Sequence, residues 1–358
     1  MNTSKLDYIL KRVYSDPVAD KRDIKTLLSL SEDAHTQQLF DFADNVRKNH
    51  TGDGILLRGI VEFSNHCKNG CLYCGLNKDN KSIARYRLTQ QQVLDCIEHI
   101  HRDGIKTVVL QSGEDDLNAQ WLAEVIKEAK SRFGIAVTLS LGERTEHEYR
   151  IWKDAGADRY LLKIETTNKA AYSALHPDMD FDNRVKCLRT LKKLGYQTGS
   201  GCIVGVKGQT IDTLAGDILF FAAKDIDMIG IGPFIPHQDT KLRSDKQGQL
   251  DMVLKALAVT RIVTKNAHLP ATTAIGSIGK GDGRLKALKA GANVLMPNYT
   301  PLEYKKLYEI YPGKRCVKEP AGACQGCMEN MADSLGRYID YSIGHSLKKQ
   351  TSYCAAQI

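Results

Sequence analysis

The stretch that decides the fold is ILLRGIVEFSNHCKNGCLYCGL, residues 55–76. Its first ten residues, 55–64, are mostly aliphatic or aromatic and predict a buried β-strand. A loop with three cysteines, Cys67, Cys71 and Cys74, follows at once. The stretch therefore predicts a cluster of thiols just beyond the carboxyl end of a strand.

β-rich runs like this first one recur along the chain. The seven others are residues 107–113, 135–142, 158–166, 197–205, 227–234, 269–275 and 293–297. Amphipathic stretches such as 89–105 separate most neighbouring pairs, and this alternation is typical of right-handed βαβ units with a parallel sheet. Eight such units predict an α/β fold, a closed (β/α)8 TIM barrel, with an open doubly wound sheet as the alternative.

The ends of the chain extend this barrel. Residues 1–50 have apolar side chains at helical spacing and predict an N-terminal helical segment. We expect the barrel over 51–312 and a C-terminal extension over 313–358, in which residues 328–344 have a helix-like pattern. No low-complexity linker divides the chain.

Composition excludes several classes of protein. The 358 residues are 42% hydrophobic and 26% charged, as in globular proteins, and no apolar run reaches the roughly 18–20 residues of a membrane span. The N-terminus lacks the pattern of a secretory signal, so we expect a cytoplasmic protein. The net charge of +8 is dispersed, with 50 basic residues among 42 acidic ones, so no nucleic-acid partner is expected.

Cysteine usage points to metal chemistry. Ten cysteines in a reducing compartment are better explained by metal, redox or buried roles than by disulfides. Zinc takes four protein ligands, or three and a water, so His66 beside Cys67 could complete a zinc site. A cubane of four irons and four sulfides held by three thiolates leaves one iron open instead. Thiols that bind no metal are the remaining alternative.

The CxxxCxxC spacing after the first strand, with Tyr73 before the third cysteine, resembles the radical S-adenosylmethionine (SAM) enzymes. The resemblance implies a 4Fe-4S cluster and SAM as cofactors. In that superfamily the amino and carboxylate groups of SAM bind the open iron. An electron from the cluster then cleaves the sulfonium, giving methionine and a 5'-deoxyadenosyl radical.

The same resemblance assigns roles to further residues. The sequence QSGED contains Gln111, Ser112, Gly113 and Glu114, and its Gly-Glu pair is similar to the element that receives the methionine ammonium. Glu165 is expected to contact the ribose hydroxyls or nearby groups of SAM. Arg184 is expected to bind the methionine carboxylate, and Tyr73 to pack near the adenine.

Longer segments resemble the HydE family of FeFe-hydrogenase maturases, which belongs to a subgroup with biotin synthase and methylornithine synthase. They include IVEFSNHCKNGCLYCGLNKDN, TVVLQSGED, GADRYLLKIET, GPFIPHQDT and GANVLMPN, and the resemblance covers about residues 40–330. It implies a small organometallic substrate, an iron with carbonyl, cyanide and cysteine ligands. The implied partners are maturases of the HydG and HydF types and an electron donor such as ferredoxin or flavodoxin.

The polar residues at strand ends suit a small anionic ligand in a cavity of this kind. They supply hydroxyl donors and one cation: Thr138, Ser140, Lys163, Thr272, Thr273 and Tyr304. Some HydE members have Arg-His where this chain has Lys163 and Ile164, and Lys cannot form the bidentate clamp of Arg. Two alternatives remain, a methylornithine synthase-like enzyme acting on an amino acid and a carrier of iron-sulfur clusters.

A second group of cysteines, Cys316, Cys324 and Cys327, matches an accessory iron-sulfur site of some HydE members. Three thiols after the last strand could bind a 2Fe-2S or 4Fe-4S cluster, zinc, or nothing. The resemblance favours a cluster that is dispensable to the chemistry. Cys96, Cys187 and Cys202 are expected to be buried structural residues, and Cys354 to be free.

Overall fold

Strands and helices alternate from residue 54 onward in the structure, a computed structural model that describes residues 2–348. Cys354 lies outside the described residues. The strands are β1 (Gly54–Leu57), β2 (Gly59–Ser64), β3 (Thr107–Ser112), β4 (Ala136–Ser140), β5 (Arg159–Leu161), β6 (Gln197–Val204), β7 (Met228–Pro233), β8 (Val294–Leu295) and β9 (Tyr338–Asp340).

Helices cover the outside of these strands. They are α1 (Thr3–Ser15), α2 (Lys21–Leu28), α3 (Asp33–Thr51), α4 (Gln90–Arg102), α5 (Ala119–Phe133), α6 (Glu146–Asp154), α7 (Lys169–Leu175), α8 (Phe181–Lys193), α9 (Ile211–Ala223), α10 (Leu250–Thr264), α11 (Thr273–Gly276), α12 (Gly283–Lys289), α13 (Leu302–Lys305) and α14 (Gln325–Asp333). The N-terminal helices pack on the barrel helices, α3 against α10 and α2 against α9. Among residues 2–348, no helix combines the length and the apolar character that crossing a membrane requires.

The strands form a closed parallel ring. Strands β2 to β7 pair side by side in chain order, and β1, which leads into β2, pairs with β8. Isolated bridges complete the circuit, from Met228 to His268 and from Pro270 to Val294. The predicted (β/α)8 barrel is therefore confirmed, and the open doubly wound sheet is excluded.

The seventh predicted strand, 269–275, is the weakest part of the ring. Only His268 and Pro270 form bridges there, because proline has no N–H to donate to a ladder. The chain turns helical at Thr273, and the Thr272 side chain accepts a hydrogen bond from the Ile275 N–H as the N-cap of α11. The prediction of a strand over the whole of 269–275 is wrong.

Two other predicted elements differ from the structure. The first run, 55–64, is two strands, β1 and β2, which belong to different sheets. The helix-like pattern over 328–344 ends with α14 at Asp333. Gly336 then has a left-handed φ of 63°, a conformation that terminates helices, and β9 follows in parallel with β1.

Residues 343–345 close the floor of the barrel, at the amino ends of the strands. Arg159 donates hydrogen bonds to the carbonyls of Ile343 and Gly344 at 2.9 and 3.0 Å. The Thr107 hydroxyl donates to Ile343 at 2.9 Å, and His268 Nε2 lies 2.9 Å from the His345 carbonyl. With the floor sealed, the opposite end of the barrel is where a ligand can enter.

We predict that Gly201→Ala destabilises the barrel. Gly201 pairs with Gly230 across β6 and β7, and a Cβ atom at Gly201 would lie 2.0 Å from the Gly230 carbonyl oxygen. Overpacking of this kind costs about 1–3 kcal/mol of unfolding free energy, which thermal or urea denaturation would measure. Gly216→Ala is the control. Gly216 lies in α9, and an added Cβ would be 3.6 Å from the Thr167 hydroxyl oxygen, an ordinary contact, so this variant should stabilise by about 0.5–1 kcal/mol. Equal stability of the two variants would contradict the packing described for β6 and β7.

Candidate active site

A cavity of about 370 Å³ opens at the carboxyl ends of the strands. This size suits a small ligand, and the location is where barrel enzymes carry their chemistry. The cavity brings together most of the residues that the sequence singles out: Cys67, Cys71, Tyr73, Cys74, Gln111, Ser112, Gly113, Glu114, Ser140, Lys163, Glu165, Arg184, Thr272 and Thr273.

The cysteine loop is fixed by hydrogen bonds of its backbone. Lys68 N–H donates to the Glu114 carbonyl at 2.9 Å, and Gly75 N–H donates to the Ile310 carbonyl at 2.8 Å. The Arg85 guanidinium donates to the Asn65 and Leu76 carbonyls on either side of the cysteines. The loop is therefore shaped before any cofactor binds.

The three thiols at this loop lie close enough to influence one another. Burial, followed by the charge of Cys67, raises the pKa of Cys74 to about 12. Burial and the charges of Cys74 and Cys67 also raise the pKa of Cys71. Because metal ligation needs thiolates, binding of a cationic metal centre at these cysteines would release protons.

The donor set at this loop is three thiols, the kind of ligand that iron-sulfur clusters use. Within residues 2–348, no three His, Cys, Asp or Glu side chains converge as the ligands of one metal ion do. His66, the candidate fourth zinc ligand, does not line the cavity.

Glu114 is positioned at the end of β3 beside this loop. Its Oε2 accepts a hydrogen bond of 2.8 Å from the Glu143 N–H, and its side chain is buried. Gly113 is required by the close approach of the cysteine loop, since a Cβ there would lie 2.3 Å from the His66 carbonyl oxygen. The carboxylate is therefore presented to the cavity at a fixed distance from the cysteines.

Glu165 has a strained backbone just beyond β5, the fourth strand of the barrel. Its φ of 63° lies in the left-handed region, which side chains other than glycine rarely adopt. Two backbone hydrogen bonds to β6 hold Glu165 in this conformation. The Glu165 N–H donates to the Gly201 carbonyl, and the Ile203 N–H donates to the Glu165 carbonyl, each at 3.0 Å. Its Oε2 lies 2.9 Å from Lys163 Nζ as an ion pair, without a well-aligned hydrogen bond. Strain of this kind is concentrated at functional sites.

Arg184 supplies a buried cation from α8. Its Nε donates to Glu143 Oε1 at 2.6 Å and its Nη1 to the Lys163 carbonyl at 2.6 Å. Burial works against the charge, but Tyr172 and Glu143 outweigh it and raise the pKa of Arg184 above its ordinary value. The guanidinium therefore stays charged at the cavity wall, where a carboxylate would be attracted to it.

Tyr73 contacts a histidine that the sequence analysis did not identify. Its hydroxyl lies 3.0 Å from His176 Nε2, and the two rings meet edge to face. His176 Nδ1 lies 2.9 Å from the Tyr172 carbonyl, so it carries the proton and Nε2 accepts from the tyrosine. Burial lowers the pKa of His176 to about 4. No spacing in the sequence indicated this contact, because α7 brings His176 across about a hundred residues.

Two predicted substrate residues are not at the cavity wall. Thr138 lies in β4 one pleat below Ser140 and is buried, with no hydrogen-bond partner for its hydroxyl among the described residues. Tyr304 is in α13, and its ring packs against Tyr86 with 4.8 Å between centroids. The lining residues that sequence reasoning missed include Glu62, Tyr308, Tyr311 and Lys314. Only Glu62, a charge within an apolar strand, gave a signal in the sequence.

The second cysteine group lies outside the cavity. Both Cys316 and Cys324 are free thiols. A hydrogen bond from Cys324 lowers the pKa of Cys316, although burial acts in the opposite direction. Cys316 has a left-handed φ of 58°, while Cys327 lies exposed in the first turn of α14. Cys316 and Cys324 thus influence each other's titration, and Cys327 lies one turn along the helix from Cys324.

The sequence and the fold are both similar to those of known proteins. The family model for the radical SAM superfamily matches residues 61–221. The [FeFe] hydrogenase maturase subunit HydE of Thermotoga maritima is 49% identical over 88% of this chain and 90% of its own length. The 3-methylornithine synthase of Methanosarcina acetivorans is 26% identical over 85% of this chain and 87% of its own length. The crystal structure of methylornithine synthase (PylB) is similar in fold, with a TM-score of 0.80, 24% identity and coverage of 94% and 97%.

We predict a pH dependence of stability that comes from His176. Because its pKa is about 4 in the folded chain and near 6.5 in the unfolded chain, the unfolded chain binds more protons between these values. Stability is therefore lost as the pH falls through this window. Between pH 7 and 5, the loss in unfolding free energy should be about 1–2 kcal/mol smaller in His176→Gln than in the wild type, by urea denaturation. His147→Gln, at an exposed position of α6, is the control, and identical losses in all three proteins would contradict the assignment.

Proposed function

Since the chain belongs to the HydE family of the radical SAM superfamily, we propose that it processes a small iron complex during assembly of the FeFe-hydrogenase active-site subcluster. The substrate would carry carbonyl, cyanide and cysteine ligands. The observation that carries the proposal is the single cavity lined by Cys67, Cys71 and Cys74 together with Glu114, Glu165 and Arg184. An iron-sulfur carrier would need the thiols but not these charged groups.

The cofactors of the superfamily are a 4Fe-4S cluster and SAM, which together supply a 5'-deoxyadenosyl radical when an electron cleaves the sulfonium. In this proposal, the three thiolates of the cysteine loop hold the cluster. Glu114 accepts the methionine ammonium and Arg184 donates to the methionine carboxylate, both as charge-assisted hydrogen bonds. Glu165 accepts from the ribose hydroxyls, and Tyr73, fixed by His176, packs near the adenine.

The remaining wall suits radical chemistry because much of it is apolar. Leu161, Ile203, Phe234, Pro270 and Met296 line the cavity and are buried or nearly so. Such side chains exclude water, which would otherwise compete with the substrate for a reactive intermediate. Ser140, Lys163, Thr272 and Thr273 are the polar groups that we assign to the iron complex.

A radical SAM reaction on an amino acid, as in methylornithine synthase, is the second candidate. It is supported by an ion pair in the cavity between Glu62 and Lys314, whose two charges complement those of an amino acid. The two candidates share the SAM site and differ in the substrate alone, so stimulation of SAM cleavage by each substrate separates them.

We propose a second iron-sulfur cluster, 2Fe-2S or 4Fe-4S, at Cys316, Cys324 and Cys327, with a structural role. The hydrogen bond between Cys324 and Cys316 supports it, and a structural role is consistent with the absence of these three cysteines from the cavity lining. It belongs to the extension assigned to residues 313–358, beside the barrel of 51–312 and the helical segment of 1–50.

The partners in the proposal are maturases of the HydG and HydF types and an electron donor such as ferredoxin or flavodoxin. A cytoplasmic location is part of the same proposal, because free thiols such as these persist in a reducing compartment.

The two cysteine groups should respond differently to substitution. We expect Cys71→Ala to abolish reductive SAM cleavage, since it removes a ligand at the cavity, and Cys324→Ala to retain most of it. Methionine release by anaerobically reconstituted protein measures both, and iron content shows which cluster is lost. The same two variants in a hydrogenase maturation assay should rank in the same order. Equal loss of SAM cleavage in both would overturn the assignment.

Substitutions at Glu165 should separate cofactor binding from stability. Glu165→Ala and Glu165→Gly both remove the carboxylate and should weaken SAM binding, measured by titration calorimetry, without loss of the iron held by Cys67, Cys71 and Cys74. Because glycine adopts a φ of 63° without strain, the Gly variant should be about 1 kcal/mol more stable than the Ala variant. Unchanged SAM affinity in both variants would contradict the role given to Glu165.

A further inference from the structure

A buried ion pair forms one wall of the cavity, away from the residues assigned to SAM. Lys314 Nζ donates to Glu62 Oε1, and their side chains are only 9% and 4% exposed. Glu62 lies in β2, in register with Gln111 and Ser140 of the next two strands. The other lysine–glutamate pair of the cavity, Lys163 with Glu165, follows β5. Strands β3 and β4 lie between β2 and β5, so the two ion pairs flank the part of the cavity above these two strands.

We propose that Glu62 and Lys314 bind the ammonium and carboxylate groups of an amino-acid-derived substrate. The inference rests on the proposed function in one respect, that this cavity receives such a substrate. A carboxylate beside an ammonium is the complement of the two charged groups of an α-amino acid, which would lie antiparallel to the pair. For an iron complex with a cysteine ligand, this contact would orient the cysteine.

Both members of the pair have hydrogen-bonding capacity left over among the described residues. Lys314 Nζ has three protons, and its acceptors are Glu62 Oε1 and, at 3.4 Å, the Tyr308 carbonyl. The Glu62 carboxylate accepts from Lys314 and, at 2.8 Å, from Asn298 Nδ2. A carboxylate has about four acceptor sites, so it can take an ammonium as well. Both residues line the cavity, where a ligand can reach them.

Stability alone does not account for the pair. Lys314 belongs to residues 307–316, which we call the strap because they cross the mouth of the barrel. The strap is already held by Asn65 Nδ2 to the Leu307 carbonyl, by Gly75 N–H to Ile310, and by Arg315 Nη2 to Gly281, each 2.8 Å. A buried ion pair adds little net stability, because removing two charges from water offsets their attraction. An apolar contact would attach the strap to the barrel as well.

The neighbourhood strengthens a charged contact with a ligand. Lys314 Nζ lies 5.2 Å from the centre of the Tyr308 ring, and Ile60 and Met296 are further lining residues. Electrostatic attraction is stronger beside such apolar and aromatic groups than in water. Glu62 and Lys314 would therefore discriminate against ligands that lack an ammonium or a carboxylate group. Binding of such a ligand would leave one of these two buried charges without a partner on the ligand.

The test measures binding by the reconstituted holoenzyme with SAM present, without turnover. The probe is S-methyl-L-cysteine, whose blocked thiol cannot ligate iron, compared with its methyl ester and with N-acetyl-S-methyl-L-cysteine. We expect the wild type to bind the unblocked probe roughly tenfold to a hundredfold more tightly than either blocked one. Lys314→Met should weaken the unblocked probe by a similar factor but leave the methyl ester unchanged. Glu62→Gln should weaken the unblocked probe but leave the N-acetyl compound unchanged.

Controls protect this test from a failure to fold. Lys306→Met removes an exposed lysine at the C-cap of α13, next to the strap, and this variant should bind all three probes as the wild type does. The double variant Glu62→Lys with Lys314→Glu keeps an ion pair, so it should keep the thermal midpoint of the wild type and still lose affinity for S-methyl-L-cysteine.

Three results would overturn the inference: no binding of S-methyl-L-cysteine by the wild type, equal weakening of all three probes in each variant, or lowered stability with unchanged affinities, as expected if the pair only anchors the strap. None of these results bears on SAM cleavage. Loss of the proposed function would instead appear as absence of methionine release by the wild type.

Discussion

Closure of the parallel ring is the constraint on which the site depends. A closed ring brings the carboxyl ends of all its strands to one mouth, so that residues as far apart in sequence as Cys67 and Thr272 line one cavity. The floor is sealed by Arg159 and its neighbours through bonds to residues 343–345. Among the described residues, the opening to the cavity lies at the mouth, beside the cysteine loop and the strap.

Inside this enclosure, charges are stable only in pairs. Arg184 pairs with Glu143, Lys163 with Glu165, and Lys314 with Glu62, in each case with a distance short enough for direct contact. Each pair holds a cation and a carboxylate ready for the charged groups of a ligand, with little reorganisation on binding. The first two pairs lie beside the groups assigned to SAM, and the third lies where a substrate would sit.

Periodicity was enough to predict the barrel, while the resemblance to radical SAM enzymes supplied most of the predicted residues that line its cavity. The alternation of apolar runs and amphipathic stretches reflects a local preference that the folded chain keeps, and the spacing of the cysteines is fixed by one short loop. Prediction failed where a distant part of the chain decides the structure. Pro270 has no N–H with which to continue a strand. β9 forms by pairing with β1, and Lys314 contacts Glu62 across 252 residues of sequence. Tyr304 had the right residue type but is turned toward Tyr86 by its helix.

We propose that this cavity generates a radical from SAM for use on a cysteine-bound iron complex. Its most direct test is methionine release by dithionite-reduced, anaerobically reconstituted protein, with a cysteine-ligated iron carbonyl cyanide complex and L-lysine offered separately. We expect the iron complex to stimulate methionine release and lysine to leave it unchanged. Stimulation by lysine alone would contradict the maturase, and no cleavage despite an intact cluster would contradict the radical chemistry altogether.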